Sequence, residues 1–266
     1  MLPIKRLAQA MNQAQVITFI GGAGTSTASG IPDYRSKQGI WTRLKAEDKD
    51  PQYFANYQRI DEDPKRFFQL RRAANEAPAP EPNIVHKTLA ALEQQYKDVR
   101  VITQNVDGLH RLAGQRALVE IHGSAQRWYC TQCHRPYQTN ELQRDEQYVP
   151  RCPYDQGVVR PDIVYFGENV KAIDAQLAHD MIAACDVLIV AGTTLSTGFP
   201  RELVRQFHAQ NQAREKERQL FFLNNEPTRW PRLAPTCYIE GNLTDTFQSL
   251  VPLLKTPSGH SLQLND

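Results

Sequence analysis

Short apolar segments separated by amphipathic stretches recur along this chain of 266 residues. Six segments are rich in β-branched residues, and several are continuous rather than alternating, which is typical of strands buried on both faces of a parallel sheet. These segments are Val16 to Ile20, Val99 to Thr103, Leu118 to Ile121, Val187 to Ala191, Leu220 to Leu223 and Cys237 to Ile239. Their alternation with helical patterns predicts an α/β fold with a doubly wound parallel sheet.

Two of the intervening helices are predicted from apolar residues at helical spacing. The stripes consist of Val170, Ile173, Leu177 and Met181 in one helix, and of Leu243, Phe247, Leu250 and Leu254 in the other. We expect each stripe to face the core.

Two regions break this alternation. Residues 32–82 are polar, aromatic and helix-leaning and end in the loop APAPEPN, whereas residues 123–160 carry a cysteine cluster with little apolar periodicity. We expect these insertions to form a smaller domain beside a Rossmann-like domain of residues 1–31, 83–122 and 161–254. The polar residues 255–266 are expected to be a flexible tail.

The charge balance excludes some partners. Lys and Arg number 31 against 29 Asp and Glu, a formal net charge of +2, which argues against binding to nucleic acid or to a membrane surface. The N-terminal residues lack a signal-peptide pattern and no apolar run is long enough to span a bilayer, so we expect a soluble, cytoplasmic protein. Cys185 and Cys237 lie in apolar strings and are expected to be buried thiols.

The first strand runs into the glycine-rich turn GGAGTSTASG. Glycines there allow a backbone to approach a pyrophosphate, so a dinucleotide could bind. The spacing departs from GxGxxG and no acidic residue follows about 20 positions later, which disfavours a dehydrogenase. Gln104, Asn105, Asp107 and His122 follow two other strands and should converge with this turn, because ligands bind beyond the carboxyl ends of parallel strands.

The same blocks resemble motifs of the sirtuin family. GGAGTSTASGIPDYR is similar to the family's GAGxSxxSGIPDFR loop, TQNVDGLH to TQNxDxLH, IHG to its HG motif, and AGTTLST to its GTSL turn. RPDIVYFGE, LNNEPT and EGN match further family segments, and the blocks follow family order over roughly residues 5 to 250. Tyr34 replaces the more common Phe, and Thr194 replaces Ser.

This resemblance implies an NAD-dependent protein-lysine deacylase, or deacetylase, that transfers the acyl group to ADP-ribose and releases nicotinamide. His122 would be the general base, and Asn105 and Asp107 would orient the nicotinamide ribose and carboxamide. Two alternatives remain, a protein mono-ADP-ribosyltransferase and a non-catalytic NAD-sensing interaction module. The presence of Asn105 and His122 favours deacylation.

The resemblance also implies which residues bind each ligand. The cofactor-binding residues would be Gly22, Ala23, Gly24, Ser26, Thr27, Asp33, Tyr34, Arg35, Gln104, Val106, Asp107, His122, Gly192, Thr193, Thr194, Asn224 and Asn242. The substrate, an acyl-lysine-bearing protein or peptide, would pair as an added strand with the segment containing Val164, Phe166, Gly167 and Glu168.

Other candidates have plainer interpretations. Family members that prefer acidic acyl groups carry a YxxR pair, which corresponds here to Phe68 and Arg71; we interpret Arg71 as an ordinary solvated side chain. We assign structural roles to the histidines other than His122 that lie outside the cysteine cluster, namely His86, His110, His179, His208 and His260.

A cysteine pair and a later cysteine predict a structural zinc site. Cys130 and Cys133 form a CxxC, and Cys152 follows after 18 residues in CPYDQG, so Asp155 occupies the position of the fourth ligand of a zinc ribbon. Sirtuins usually have four cysteines here. Zinc accepts a carboxylate oxygen, His134 is a second candidate for the fourth position, and the alternative is a ribbon that has lost its metal.

Overall fold

The computed structural model of the protein describes residues 2–33, 39, 42, 55–75, 78–95, 97–196, 198–211, 218–226, 235–256 and 259–264. Tyr34, Arg35 and much of the first insertion lie outside these residues. The α-helices within them are α1 (Pro3–Gln13), α2 (Gln58–Glu62), α3 (Pro64–Asn75), α4 (Ile84–Gln95), α5 (Leu109–Leu112), α6 (Ala172–Ala184), α7 (Gly198–Asn211) and α8 (Leu243–Leu250). In this part of the chain, no helix has both the length and the apolar character needed to cross a membrane.

The strands form one large sheet and two small ones. They are β1 (Val16–Gly21), β2 (Asp98–Thr103), β3 (Leu118–Glu120), β4 (Gly123–Cys130), β5 (Pro136–Gln138), β6 (Gln143–Arg144), β7 (Pro150–Arg151), β8 (Val159–Ile163), β9 (Val187–Ala191), β10 (Gln219–Asn224) and β11 (Cys237–Glu240). The large sheet has six strands in the order β11-β10-β9-β1-β2-β3, and every pairing in it is parallel. This order confirms the predicted doubly wound sheet and places its topological switch point between β1 and β9.

All six predicted strands are present, and their apolar side chains alternate between two cores. Phe19 and Ile189 belong to a core shared with α1, α4 and α8, whereas their neighbours Ile20 and Leu188 belong to a core shared with α6 and α7. Because both faces of the sheet are covered, continuous apolar runs are required along each strand.

One of the two helical stripes is confirmed and the other only in part, because Val170 and Met181 pack against the core but Ile173 and Leu177 do not. Leu243, Phe247, Leu250 and Leu254 are all buried, with Leu254 just beyond α8. In α6, Ile173 is 66% exposed and Leu177 is 44% exposed, while Ala178 and Ile182 face the core. Alanines and other apolar residues occur on several sides of this helix, so the sequence pattern did not reveal its buried face.

The two insertions share a third core. Ile60, Phe67 and Phe68 from α2 and α3 pack with Trp128, Cys130 and Cys152 of the second insertion. This second insertion contains the three-stranded sheet β5-β4-β8 and the hairpin of β6 and β7.

The tail differs from expectation. Leu262 is buried, its amide donates to Leu254 O at 3.3 Å, and Lys255 forms a β-bridge with Ser261. Leu262 therefore anchors the tail to the core, while its described neighbours at 259–261 and 263 are exposed. Cys185 is buried as expected, but Cys237 is only half-buried, which corrects the prediction for that thiol.

Two buried histidines lie side by side on α4 and α5. The rings of His86 and His110 are 4.5 Å apart, and neither ring nitrogen of His110 has a hydrogen-bond partner within the described residues. Burial lowers the pKa of His86 to about 4, and burial together with His86 lowers the pKa of His110 well below its usual value. Both rings are therefore neutral in the folded protein, as expected of structural histidines.

Because both histidines are neutral in the folded protein, we expect the protein to lose stability in acid. The unfolded chain binds a proton at His86 near pH 6.5, whereas the folded protein does so only near pH 4, so stability is lost as the pH falls between these values. The free energy of unfolding of His86→Asn, measured in urea, should fall by about 3 kcal/mol less than that of the wild type over this pH interval. The exposed His260, changed to Asn, is the control, and an equal pH slope in His86→Asn and the wild type would contradict the prediction.

Candidate active site

The glycine-rich loop after β1 packs directly on the turn after β9. Gly24 N donates to Gly192 O at 2.9 Å, and Gly22 N donates to Ala191 O at 3.1 Å. A Cβ on Gly24 would lie 2.7 Å from the Gly192 Cα, and one on Gly22 would lie 2.6 Å from the Thr193 Cβ. These glycines are therefore required for contact between two loops of the protein, a reason that the sequence analysis did not identify.

Asn105, Ser26 and Asp107 form a hydrogen-bonded cluster beside this loop. The Asn105 amide donates to Ser26 Oγ at 2.9 Å, and the Ser26 hydroxyl donates to Asp107 Oδ2 at 2.7 Å. Asn105 Nδ2 also lies within hydrogen-bond distance of Gly22 O and Thr25 Oγ1. The structure thus brings together the residues that follow β1 and β2, as predicted from the parallel sheet.

Asp107 is largely enclosed. Burial raises its pKa, and the Leu109 N–H and the Ser26 hydroxyl offset part of that increase by donating to the carboxylate. The Leu109 amide contacts the second carboxylate oxygen at 2.9 Å, which also fixes the start of α5. Asp107 therefore has a fixed orientation before any ligand binds.

His122 lies at the end of β3 with a fixed tautomer. Its Nδ1 is 2.9 Å from Gln104 O, and because a carbonyl oxygen can only accept, the neutral ring carries its hydrogen on Nδ1. The Nε2 atom is then left with a lone pair that can accept a proton. Burial lowers the pKa of His122, partly offset by the Gln104 hydrogen bond, so the ring is neutral near pH 7.

The predicted substrate segment begins beside His122. Val164 N donates to His122 O at 2.9 Å, so this segment begins next to the candidate base. Phe166 is 45% exposed and forms a parallel bridge with Asn56 of the first insertion. Gly167 has φ 92°, and a Cβ there would lie 2.7 Å from the Tyr57 ring, so only glycine suits this turn.

Glu168 has partners within the same turn. Its carboxylate forms two hydrogen bonds of 2.8 Å with the Arg160 guanidinium and accepts the Tyr165 N–H at 2.9 Å. In the structure it therefore holds the turn that presents Phe166.

Other predicted cofactor residues lie at the carboxyl ends of β2, β9, β10 and β11. Gln104 Nε2 donates to Thr193 Oγ1 at 2.9 Å, and Asn224 Nδ2 donates to Thr193 O at 3.3 Å. Thr194 is exposed at this edge. Asn242 caps α8 by accepting the Thr244 amide at 2.7 Å, a local role that the sequence analysis did not anticipate.

The remaining predicted cofactor residues lie around the glycine loop. Ala23 begins a short 3-10 turn, Thr27 donates its hydroxyl to Gly24 O at 3.1 Å, and Val106 O accepts the Ala125 amide at 2.8 Å. Asp33 is half-buried at the end of the described loop. The flap predicted from Tyr34 and Arg35 lies outside the described residues.

The YxxR-like pair does not form a polar site. Phe68 is 1% exposed and stacks on Trp128 in the small core, so its ring has a packing role. Arg71 is half-buried rather than solvated as expected: its guanidinium lies 3.7 Å from the centroid of the Phe67 ring and donates to Phe67 O at 3.4 Å.

A second cluster lies in the second insertion. The candidate ligand atoms of Cys130, Cys133, Cys152 and Asp155 all lie within 4.8 Å of one another. The Cys133 and Cys152 sulfurs are 3.7 Å apart, and Cys130 Sγ is 3.3 Å from Asp155 Oδ1. Two thiolates on one tetrahedral zinc are about 3.8 Å apart, so the donor set fits zinc.

Two similar turns present these ligands. His134 N donates to Cys130 O after the first pair, and Gln156 N donates to Cys152 O after the second. Both His134 and Gln156 have φ 59°. Asp155 thus occupies the place in its turn that Cys133 occupies in the other, and the cluster does not include His134.

Two residues at the glycine loop escaped the sequence analysis. Thr25 is 1% exposed and donates its hydroxyl to Gly22 O at 2.7 Å. Asn83 donates its amide to Thr25 O at 2.8 Å. The position of Asn83 before an apolar helical run is a helix N-cap signal, but that signal does not reveal the contact with the loop.

Comparison with known proteins agrees with this geometry. The model of the Sir2 family matches residues 22–198. An NAD-dependent protein deacetylase of Cutibacterium acnes is 36% identical over 89% of this chain and 93% of its own length. One from Staphylococcus epidermidis is 32% identical over 93% of this chain and 96% of its own.

Solved structures show the same fold. One, described as the structural basis for the mechanism and regulation of Sir2 enzymes, has a TM-score of 0.80 and 28% identity, covering 94% of this chain and 97% of its own. Another is a Sir2 protein with a deacetylated p53 peptide and 3'-O-acetyl ADP-ribose, with a TM-score of 0.80 and 25% identity, covering 94% of this chain and 98% of its own. The chain belongs to the Sir2 family.

Proposed function

We propose that the protein is an NAD-dependent protein-lysine deacetylase that transfers the acyl group to ADP-ribose and releases nicotinamide. The observation that carries the proposal is the hydrogen bond from His122 Nδ1 to Gln104 O, which leaves Nε2 as a proton acceptor. Relatives with this activity at 36% and 32% identity over most of the chain support it.

The chain's own residues would bind and orient NAD, which supplies the electrophilic ribose carbon and the nicotinamide leaving group. Asn105 and Asp107 would position the nicotinamide ribose, because both already have fixed orientations beside Ser26. His122 Nε2 would accept a proton from a ribose hydroxyl. The loops that carry Gly22, Gly192 and Asn224 would hold the phosphates and the adenosine half.

The partner would be an acyl-lysine-bearing protein or peptide. We infer that it binds along residues 164–168, where the exposed Phe166 and the restricted geometry at Gly167 present a short extended surface next to His122. Main-chain pairing of this kind gives affinity with limited sequence selectivity. At the YxxR position, Phe68 lacks the Tyr hydroxyl and packs on Trp128.

A structural zinc would be held by Cys130, Cys133, Cys152 and Asp155. Two of the thiols are buried and the fourth ligand is a carboxylate, so the site is closed but holds zinc less tightly than four thiolates. We infer a reducing, cytoplasmic setting, because the three thiols must remain reduced to bind metal.

The activity should depend on His122. With NAD and an acetyl-lysine peptide, the wild type should release nicotinamide and deacetylated peptide, whereas His122→Ala should deacetylate at least about 100-fold more slowly, since general-base catalysis contributes 10² or more. Nicotinamide release and peptide mass are followed together. A peptide that gains mass instead of losing acetyl would identify ADP-ribosyl transfer, and unchanged deacetylation in His122→Ala would refute the assignment.

The activity should also decline in mild acid. Only neutral His122 accepts a proton, and burial lowers its pKa from 6.5, so kcat/KM should be independent of this group above pH 6.5 and fall below it. Asp107, whose pKa is raised by burial, is the competing source of an acid limb. We expect the limb to persist in Asp107→Asn at a lower rate; its disappearance there would assign it to Asp107.

Metal content should report the role of Asp155. The purified protein should contain one zinc per chain, Asp155→Ala should lose it to a chelator at least about tenfold faster, and Asp155→Cys should retain it more firmly. His134→Ala is the matched control because it changes a neighbouring residue outside the cluster. Zinc loss in His134→Ala rather than Asp155→Ala would reassign the fourth ligand.

A further inference from the structure

The glycine-rich loop cannot maintain its shape by internal hydrogen bonds alone. It consists of the 3-10 turns Ala23–Thr25 and Thr27–Ser29, which end at Gly30 in the left-handed region with φ 83°. Single 3-10 turns have poor hydrogen-bond geometry and rarely persist by themselves. The first turn is anchored to Gly192 and to Asn105, whereas the second lies farther along the chain from those anchors.

Asn83 anchors the loop from the opposite side. Its Nδ2 donates to Thr25 O at 2.8 Å and to Ser29 Oγ at 3.0 Å, so both amide hydrogens are used. These two bonds connect the first turn to the second and join both to the start of α4.

The orientation of this amide is set by the helix that begins next to it. Asn83 Oδ1 accepts the Val85 N–H at 2.9 Å as an N-cap of α4, and Asn83 O accepts the Lys87 amide at 3.0 Å. Helix α4 is held in the main core by Val85 and Leu89, so the amide is mounted on a rigid element. One side chain thus both caps a helix and holds a loop.

Thr25 is the residue on which the two anchors converge. Its main-chain carbonyl accepts a hydrogen bond from Asn83, and its side-chain hydroxyl oxygen accepts one from Asn105. Ser26, which contacts Asp107, is the next residue. A shift of Thr25 would therefore move the hydroxyl that orients the Asp107 carboxylate.

We propose that Asn83 is a positioning residue for dinucleotide binding, holding the loop of residues 22–30 in its binding shape. This inference rests on the proposed NAD-dependent activity for its kinetic consequence. Its structural consequence, a loop loosened by loss of the Nδ2 donor, is independent of that activity.

Two substitutions separate the loop contact from the helix cap. Asn83→Asp and Asn83→Ser retain a good N-cap oxygen but lack the amide donor. In the Asp variant a carboxylate oxygen faces the Thr25 carbonyl oxygen and repels it, and in the Ser variant the shorter side chain does not reach that carbonyl. Both variants should keep a melting temperature within about 2 °C of the wild type while the KM for NAD rises about tenfold. The KM for acetyl-lysine peptide should stay within about twofold of the wild type, because the proposed peptide segment, residues 164–168, is a separate part of the site.

Asn12→Asp is the matched control. Asn12 is a half-buried asparagine that donates to Leu253 O at 3.0 Å and accepts the Lys255 amide at 3.0 Å, and it precedes β1 whereas the loop follows β1. The same substitution there removes one amide donor and adds one charge. It should leave the KM for NAD unchanged.

A second measurement does not depend on catalysis. Hydrogen–deuterium exchange without NAD should be faster in residues 22–30 of both Asn83 variants than in the wild type and Asn12→Asp, and calorimetric titration with ADP-ribose should show about tenfold weaker binding. If the wild type releases no nicotinamide, the proposed function fails, and exchange and ADP-ribose binding still decide the role of Asn83. Unchanged loop exchange, an effect seen with Asp but not Ser, or a lowered melting temperature with unchanged KM would overturn the proposal.

Discussion

Backbone contact between the loop after β1 and the turn after β9 is the constraint on which the site depends. The two strands are neighbours at the switch point of the sheet, so their carboxyl ends meet while the next chain segments leave toward opposite faces. Gly24 and Gly192 can approach only because neither has a side chain. A Cβ at Gly24 would force the loops apart and move every polar group that they carry. The glycines thus serve the fold before they serve a ligand.

Polar side chains then satisfy the irregular backbone that this contact leaves. Asn105 and Asn83 bind loop carbonyl and hydroxyl groups from two sides, and Gln104 connects the turn after β9 to the end of β2. The same enclosure raises the pKa of Asp107 and lowers that of His122, so burial favours the neutral form of each group. Opposing shifts within one site are typical of places where proton transfer occurs.

Periodicity along the sequence predicted the sheet and the convergence of the residues at its strand ends, whereas several individual side-chain contacts were missed. Strand positions agreed closely with the structure because continuous apolar runs fit only a sheet covered on both faces. The buried face of α6 was predicted only in part, because alanines around that helix conceal its phase. Phe68 resembled part of a ligand site but packs on Trp128, a residue of the other insertion. The ion pair at Glu168 likewise required coordinates, whereas the cap at Asn242 has a sequence signal, since Asn directly precedes an apolar helical run.

The metal cluster and the candidate base lie at opposite ends of one antiparallel pair. Strand β4 begins directly after His122 and ends at Cys130, which pairs with Val159 at the start of β8, and Val164 returns beside His122. A register shift between Ser124 and Trp128 shortens β4 against β8, so the two ends are separated by the five residue steps from Val159 to Val164, about 17 Å at 3.3 Å per residue. At that distance a metal ion held by the cluster would make no direct contact with His122. Such a metal would therefore influence the site by fixing the geometry of this strand pair and of the small core.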